Sequence, residues 1–586
     1  MEYSAITHYA DKRYCFSTGK GKFLIRLQTK KGDISSVILH FQEKYLPVGY
    51  IDTRQHKEMN LAYSDNFLDY FEAEIEIDMV CLRYYFEIKD TEGNVTYYGS
   101  HNFYNGPIGD VERMYDCPQT LREEELFVVP EWAKNKVVYQ IFPSRFATDK
   151  DIPEELWYQT PIRHDTNLQG NLRGIINRLD YIKELGIDVI YLTPIFKSDS
   201  GHKYNTFDYY QVDPAFGTKE DLKELVDKAH QRNMYVVLDG VFNHTGTEFF
   251  AFRDIMENEE NSKYLDWYYI DSFPLQFEWG KRPNFKTFSY FGGMPKLKLT
   301  NKEVQDYVIE VASYWIKECD IDGWRLDVAD EINHAFWKRF RREIKAVKED
   351  ALIIGEIWHH AEDFLEGDEW DSVMNYQFYN SIQDLLIGGS ITPSQFIGNL
   401  NFVKGNLNKQ CEGVLWNLID SHDTPRFLHS ANKSIKKQKL AAAFQLLLPG
   451  MPMIYYGDEV AIGGGADPDC RRGMLWDESR QNKSMLSHYK KLLEIRKKYI
   501  SLTTGSIIEQ YADDDRRIIV ITRESGEEKC TVVFNCSDDK VSVPEYSGLT
   551  NLMNDKKFKG QLGEYEAAVF LYQIVKTNLC KGNQRD

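Results

Sequence analysis

Four carboxylates stand at or just beyond the ends of short apolar runs. Asp239 follows Val236-Val237-Leu238, Asp327 closes Gly323-Trp324-Arg325-Leu326, Glu356 follows Leu352-Ile353-Ile354-Gly355, and Asp423 follows Leu418-Ile419-Asp420-Ser421-His422. A short apolar run ending in an acid reads as a buried strand whose last side chain emerges at a rim. If such strands are parallel and close into a barrel, the acids all reach one mouth. Carboxylates that converge in this way suit glycosidic cleavage: one attacks or steadies the oxocarbenium-like centre, and a second protonates the departing oxygen. Arg325 lies two residues before Asp327 and shares its face of the strand, where it is expected to keep that carboxylate ionised. His244 and His422 add imidazoles at the same rim, suited to hydrogen-bonding sugar hydroxyls. Any one of these acids is as well explained by an ion pair or a helix cap, so the set carries the reading. A zinc site is the rival chemistry, but the chain has no HExxH, and His359-His360 are adjacent rather than one helical turn apart.

The elements that must position these residues are legible as alternating short apolar runs and amphipathic stretches from Pro130-Glu131-Trp132 onward. Strands are expected at Val137 to Phe142, Val189 to Leu192, Tyr235 to Leu238, Trp324 to Val328, Leu352 to Gly355, Val373 to Met374, Val414 to Ile419 and Met453 to Tyr456. Between the first two, Leu172, Ile175, Ile176, Leu179, Ile182 and Leu185 form a helical stripe closed by Gly186. Eight strands separated by helices predict a (β/α)₈ TIM barrel of α/β class, here assigned to residues 126–500. An insertion at about 240–302 interrupts the rhythm and is rich in aromatics: Trp267, Tyr268, Tyr269, Phe277, Trp279, Phe285, Phe288, Tyr290 and Phe291. An insertion after a barrel strand lies at the active-site rim, so this B subdomain is expected to divide its aromatics between walling a cleft and filling its own core. Residues 1–125 read as an N-terminal β-sandwich, with Phe71, Ala73, Ile75, Ile77 and Met79 alternating with acids. Residues 501–586 read as a C-terminal β-sheet domain.

Composition narrows the partners. The 586-residue chain is 42% hydrophobic and 27% charged, a globular balance, and its formal charge of −19 disfavours nucleic acid or an anionic membrane. A neutral substrate is compatible with that charge. Nine cysteines without a CxxC pair, and an N-terminus Met1-Glu2-Tyr3-Ser4 with neither a basic region nor an apolar core, lead to the expectation of a soluble cytoplasmic protein.

Taken together, Asp239 to His244, Gly323 to Asp327, Glu356-Ile357-Trp358-His359 and His422-Asp423 resemble, in order and spacing, the four signature regions of the α-amylase family of glycoside hydrolases. Met294-Pro295-Lys296-Leu297, Val328-Ala329-Asp330-Glu331 and the N-terminal sheet domain are similar to the neopullulanase, cyclomaltodextrinase and maltogenic amylase group within it. Lys298 and Asp330 depart from that group's usual MPKLN and VANE. The resemblance implies Asp327 as nucleophile, Glu356 as general acid/base and Asp423 as the carboxylate that steadies the transition state. It implies that Arg325, His244 and His422 hold the reacting sugar, with Tyr204 stacked beneath it and His202 beside it. It places Trp358 on the acceptor side and Asp467 and Arg471 on sugar further along.

The implied reaction is retaining hydrolysis of α-1,4 bonds, with α-1,6 bonds in question, in cyclodextrins, maltooligosaccharides, pullulan and starch. An α-glucan glucosyltransferase and a catalytically silent starch-binding protein are the alternatives. No cofactor is required. A structural Ca²⁺ known in many relatives would fall to Asp149 and Asp151, although Lys150 stands between them and the relatives' glycine turn is lost. A homodimer through the N-terminal domain is the expected assembly.

Overall fold

The computed structural model describes residues 1–45, 54–76, 81–117, 126–278 and 280–573. Ile77, Asp78 and Met79 of the predicted N-terminal strand, Trp279 of the insertion, and the chain after 573 lie outside the described residues.

Eight parallel strands close into a barrel in sequence order: Val138–Ile141, Val189–Leu192, Tyr235–Gly240, Gly323–Leu326, Leu352–Gly355, Ser372–Asn375, Trp416–Asn417 and Met451–Tyr455, the last pairing with the first. The strands are short, apolar and buried, as strands covered on both faces must be. Two sequence expectations need correcting. The seventh strand is only Trp416–Asn417 rather than the whole apolar run, and the stripe from Leu172 divides into two helices, Leu172–Ile176 and Leu179–Leu185, at Asn177 and Arg178. Helices wrap the outside with polar caps at their starts. Asn301 caps Lys302–Cys319 and Asn333 caps His334–Val347, so the helices flanking the fourth strand begin at fixed points.

Alternation along the fourth strand separates core from chemistry. Trp324 points outward among Phe196 and Phe242, whereas Arg325, two residues before Asp327, points into the barrel and contacts Met374 Sδ at 3.3 Å. Pairing with the third strand sets Arg325 opposite Asp239, and pairing with the fifth sets Leu326 opposite Gly355, one residue before Glu356.

The insertion between Gly240 and Lys302 packs Trp267, Tyr268 and Phe285 inside and leaves Phe277, Tyr290 and Phe291 exposed. The buried aromatics join the continuous core of the barrel rather than forming a core of the insertion's own. Ahead of the barrel, strands between Cys15 and Tyr104 form an antiparallel sheet, and Tyr115–Asp116 pairs onto Leu82–Asp90. Inward residues from Lys22–Lys30, Ile34–Glu43, Leu68–Glu76 and Leu82–Asp90 share one core, as in a two-layered sandwich. After the barrel, Ser506–Asp513, Ile518–Ser525, Glu528–Asn535 and Ala567–Gln573 form the main part of a second antiparallel sheet.

Candidate active site

At the carboxyl ends of the barrel strands one guanidinium joins three acids. Arg325 is fully buried, and its Nη1 donates to both Asp239 carboxylate oxygens at 3.1 Å and to Asp327 Oδ1 at 2.9 Å. Its Nη2 lies 2.9 Å from Glu356 Oε2, an ionic contact without hydrogen-bond alignment. Glu356 is fixed from its other sides, where Oε2 accepts the Val328 backbone N–H at 3.0 Å and Oε1 accepts Trp358 Nε1 at 3.1 Å. Val328 donates that bond from a left-handed conformation, φ 46°, which a β-branched residue adopts at a cost of roughly 1–3 kcal/mol. The strain falls on the residue that links Asp327 to Glu356.

One cation among three buried carboxylates sets the electrostatics. Burial, and then the nearby Glu356, push the Asp327 carboxyl well above the usual carboxylate range, while Arg325 opposes them. The expectation that Arg325 keeps Asp327 ionised is corrected in its balance: the arginine pulls in the expected direction, but burial outweighs it. Asp239 is raised by burial too, against Arg325 and the Tyr191 hydroxyl, which donates to its Oδ2 at 2.6 Å.

A second group of contacts lies across the mouth. Tyr204 OH is 3.0 Å from Asp239 Oδ2 and 2.6 Å from His422 Nε2, and its ring lies parallel to the His422 ring at 5.6 Å. His422 Nδ1 pairs with Gln140 Nε2 at 2.7 Å, and burial holds this imidazole well below its usual pKa, so it is neutral. That leaves its Nε2 between Tyr204 and Asp423 Oδ2, the latter 3.1 Å away. Burial and then Glu356 push Asp423 up to about 7, opposed by Arg471. Arg471 donates to the His422 carbonyl at 2.9 Å and pairs with Asp467 at 2.8 Å, while its Nη2 lies 3.4 Å from Asp423 Oδ1. His202 Nδ1 accepts the Tyr204 backbone N–H at 3.1 Å, and burial lowers its pKa to about 4.

His244 is buried, its pKa pushed down to about 3, and its Nε2 has no protein partner, which leaves a polar atom for a ligand hydroxyl. Its ring lies against Phe288 at 5.2 Å. On the other side Trp358 is 46% exposed and stacked on Tyr376 at 3.9 Å, an open ring face beside the acids. Lys296 Nζ ties Asn243 Oδ1 at 2.6 Å to Glu331 Oε2 at 2.8 Å, and Asp330 pairs with His359 at 2.9 Å.

The structure thus brings Asp327, Glu356, Asp423, Arg325, His244, His422, Tyr204, His202, Trp358, Asp467 and Arg471 into one contact system or onto its rim. Asp149 and Asp151 stand apart on an exposed loop. Asp149 Oδ1 accepts from Asn171 Nδ2 at 2.7 Å, and among the described residues no three acids, histidines or cysteines gather as a metal site. A Ca²⁺ shell of six or more oxygens does not fit what these two acids present. Gln140, Tyr191 and Tyr376 were missed from the sequence. The signal for the first two was a polar atom inside an otherwise apolar strand, Val138-Tyr139-Gln140-Ile141 and Val189-Ile190-Tyr191-Leu192.

Comparison with known proteins gives a consistent picture. Residues 140–478 match the α-amylase catalytic domain, and residues 1–120 match the α-amylase N-terminal Ig-like domain. The chain is 39% identical to neopullulanase 2 of Thermoactinomyces vulgaris over 587 aligned residues, covering 98% of this chain and 99% of that one. It is 40% identical to a cyclomaltodextrinase of Geobacillus thermopakistaniensis, covering 96% of each. A solved cyclomaltodextrinase superposes with a TM-score of 0.90 at 34% identity over 98% of both chains.

Proposed function

The chain belongs to the α-amylase family of glycoside hydrolases, and from that premise we propose that it cleaves α-1,4-glucosidic bonds, and α-1,6 bonds as a second activity, in cyclodextrins, maltooligosaccharides, pullulan and starch. The observation that carries this reading is the single Arg325 guanidinium in contact with Asp239, Asp327 and Glu356.

In the proposed double displacement, Tyr204 and His422 support the reacting glucose, and the free Nε2 of His244 and the carboxylate of Asp423 take its hydroxyls. As the glycosidic bond lengthens, positive charge develops at the anomeric carbon and favours the anionic form of Asp327. Glu356, acting as the general acid, passes a proton to the departing oxygen. Asp327 closes a covalent glucosyl ester with inversion. Glu356, now a base, takes a proton from water, which attacks the same carbon and inverts it again, so the configuration is retained. Arg325 balances charge throughout without moving. Trp358, braced by Tyr376 and bonded to Glu356, offers its open face to the acceptor sugar. Asp467 and Arg471 reach sugar beyond the reacting ring. No step calls for a cofactor.

Two further parts of the reading concern assembly and place. The outer face of Gln55–Ser64 is largely exposed and carries Leu61, while Phe67 and Tyr45 are exposed nearby in sequence, which supports a homodimer through the N-terminal sheet. The eight described cysteines are not joined in disulfides, in keeping with a cytoplasmic protein, and no described helix is long and apolar enough to cross a membrane.

The test is parallel product analysis on β-cyclodextrin, pullulan and soluble starch, with the anomeric configuration of the first product read by NMR. Glucose and maltose released as the α-anomer are expected from the native enzyme. Asp327→Asn is expected to lose at least about 10³-fold in kcat, as removal of a catalytic nucleophile does. An Asp327→Asn enzyme with near-native turnover would refute the mechanism.

A further inference from the structure

Beside the acids, the insertion carries a hydrogen-bonded turn with an unusual content. The Phe288 backbone N–H donates to the Met294 carbonyl at 3.0 Å, and the Phe291 N–H donates to the Phe288 carbonyl at 2.9 Å. Inside this turn Ser289 and Tyr290 both take positive φ, 47° and 59°, a conformation that disfavours an aromatic residue. The strained backbone presents the Tyr290 ring to solvent at 70% exposure, with the Arg282 guanidinium 5.6 Å from its centroid. Phe277 and Phe291 are 43% and 41% exposed in the same place. These rings, with Gly292 and Gly293 beneath and Glu278, Lys281 and Arg282 around, line an open cavity of about 750 Å³.

The position of this cavity bears on the chemistry. Thr247, three residues past His244, forms part of its wall. The base of the turn is bonded to the catalytic rim: the Thr245 N–H donates to the Pro295 carbonyl at 3.0 Å, His244 bridges Lys296, and Phe288 stacks on His244. The turn that lines the cavity is therefore tied through Thr245, His244 and Phe288 to the rim that carries the acids. Flat apolar rings interleaved with a few carboxylate, ammonium and guanidinium groups match a glucose unit, which has an apolar ring face and a hydroxyl edge. A protein or lipid partner would need a broader apolar surface than these rings provide.

We propose that Tyr290, with Phe277 and Phe291, is a stacking platform for α-glucan units remote from the scissile bond and sets the enzyme's preference for longer chains. The proposal rests on the α-glucan reading above. Tyr290 touches no reacting atom, so its effect belongs to substrate length.

The experiment compares kcat/KM on maltotriose and maltoheptaose for the native enzyme, Tyr290→Ala and Tyr290→Phe, with a thermal melt of each. Tyr290→Ala is expected to lose roughly five- to ten-fold on maltoheptaose, the value of one aromatic contact, and to stay within about two-fold on maltotriose. Tyr290→Phe, which keeps the ring, is expected to restore the long-chain rate. No loss on maltoheptaose, or an equal loss on both substrates, would overturn the platform while leaving the α-glucan reading intact. A native enzyme that cleaves neither substrate would overturn both.

Discussion

At the scale of single residues the site is a contest between burial and charge, and Asp423 shows its consequence for stability. Its carboxyl is pushed up to about 7 from an ordinary value of 3.8. Between those two pH values the folded chain holds a proton that the unfolded chain has released, so stability falls as the pH rises through the window. Asp423→Asn abolishes the ionisation. Above pH 7 the variant should be more stable than the native chain by about 1–2 kcal/mol, less than the ~1.4 kcal/mol per pKa unit would give because the side chain is partly hydrated. Near pH 4 the gain should vanish, and activity should be low throughout. Melts at pH 4 and pH 8 check this, and a variant less stable than the native chain at pH 8 would refute it. The same residue trades stability for a carboxylate placed against Arg471 and His422.

At the scale of elements, the barrel matters because it holds Asp327 and Glu356 on adjacent strands, and Gly323 shows how closely those strands approach. A Cβ at Gly323 would lie 2.3 Å from the Leu352 carbonyl oxygen, in the fourth and fifth strands respectively. Gly323→Ala must push the two strands apart at their amino ends, which should cost about 3 kcal/mol. Activity should fall with it because Arg325 and Asp327 ride on the same strand. A drop of several degrees in the thermal midpoint together with loss of turnover is the expected result, and a native-like melt would show that the strand shifts without strain. The glycine's role could not be read from the sequence, where Gly323 looks like the start of a strand. The acids, the strand order and the insertion were legible because each rests on local pattern, an apolar run with an acid at its end. The break at Asn177 and Arg178 was not, because the apolar stripe continues across it. Nor was Gln140, whose partner His422 lies beyond the seventh strand and meets the first only when the barrel closes, or Tyr191, whose partner Asp239 is on the neighbouring strand but 48 residues away in sequence.

At the scale of the whole molecule, one buried arginine is prominent among the contacts that fasten the N-terminal sandwich to the barrel. Arg26 is 2% exposed; its Nε donates to Glu72 at 2.8 Å within the sandwich, and its Nη1 donates to the Gly405 carbonyl at 2.6 Å and the Leu407 carbonyl at 3.3 Å in the barrel. Those carbonyls lie at and just beyond the end of the helix Pro393–Gly405, where a cation is favoured by the helix dipole. The same helix receives the sandwich along its length, since Asn401 Nδ2 donates to the Ser64 carbonyl at 2.8 Å and Asn66 Nδ2 to Asn399 at 2.9 Å. Arg26→Met fills the volume but leaves Glu72 without its guanidinium partner and two buried carbonyls without donors, a loss of about 3 kcal/mol. Because the barrel core and the sandwich core are separate clusters, that loss should fall on the junction rather than on either core. The expected melt has an added early transition, with kcat on maltotriose within about two-fold of native because the acids lie in the barrel. A single transition at the native temperature would show that the remaining contacts along Pro393–Gly405 hold the two parts together without Arg26.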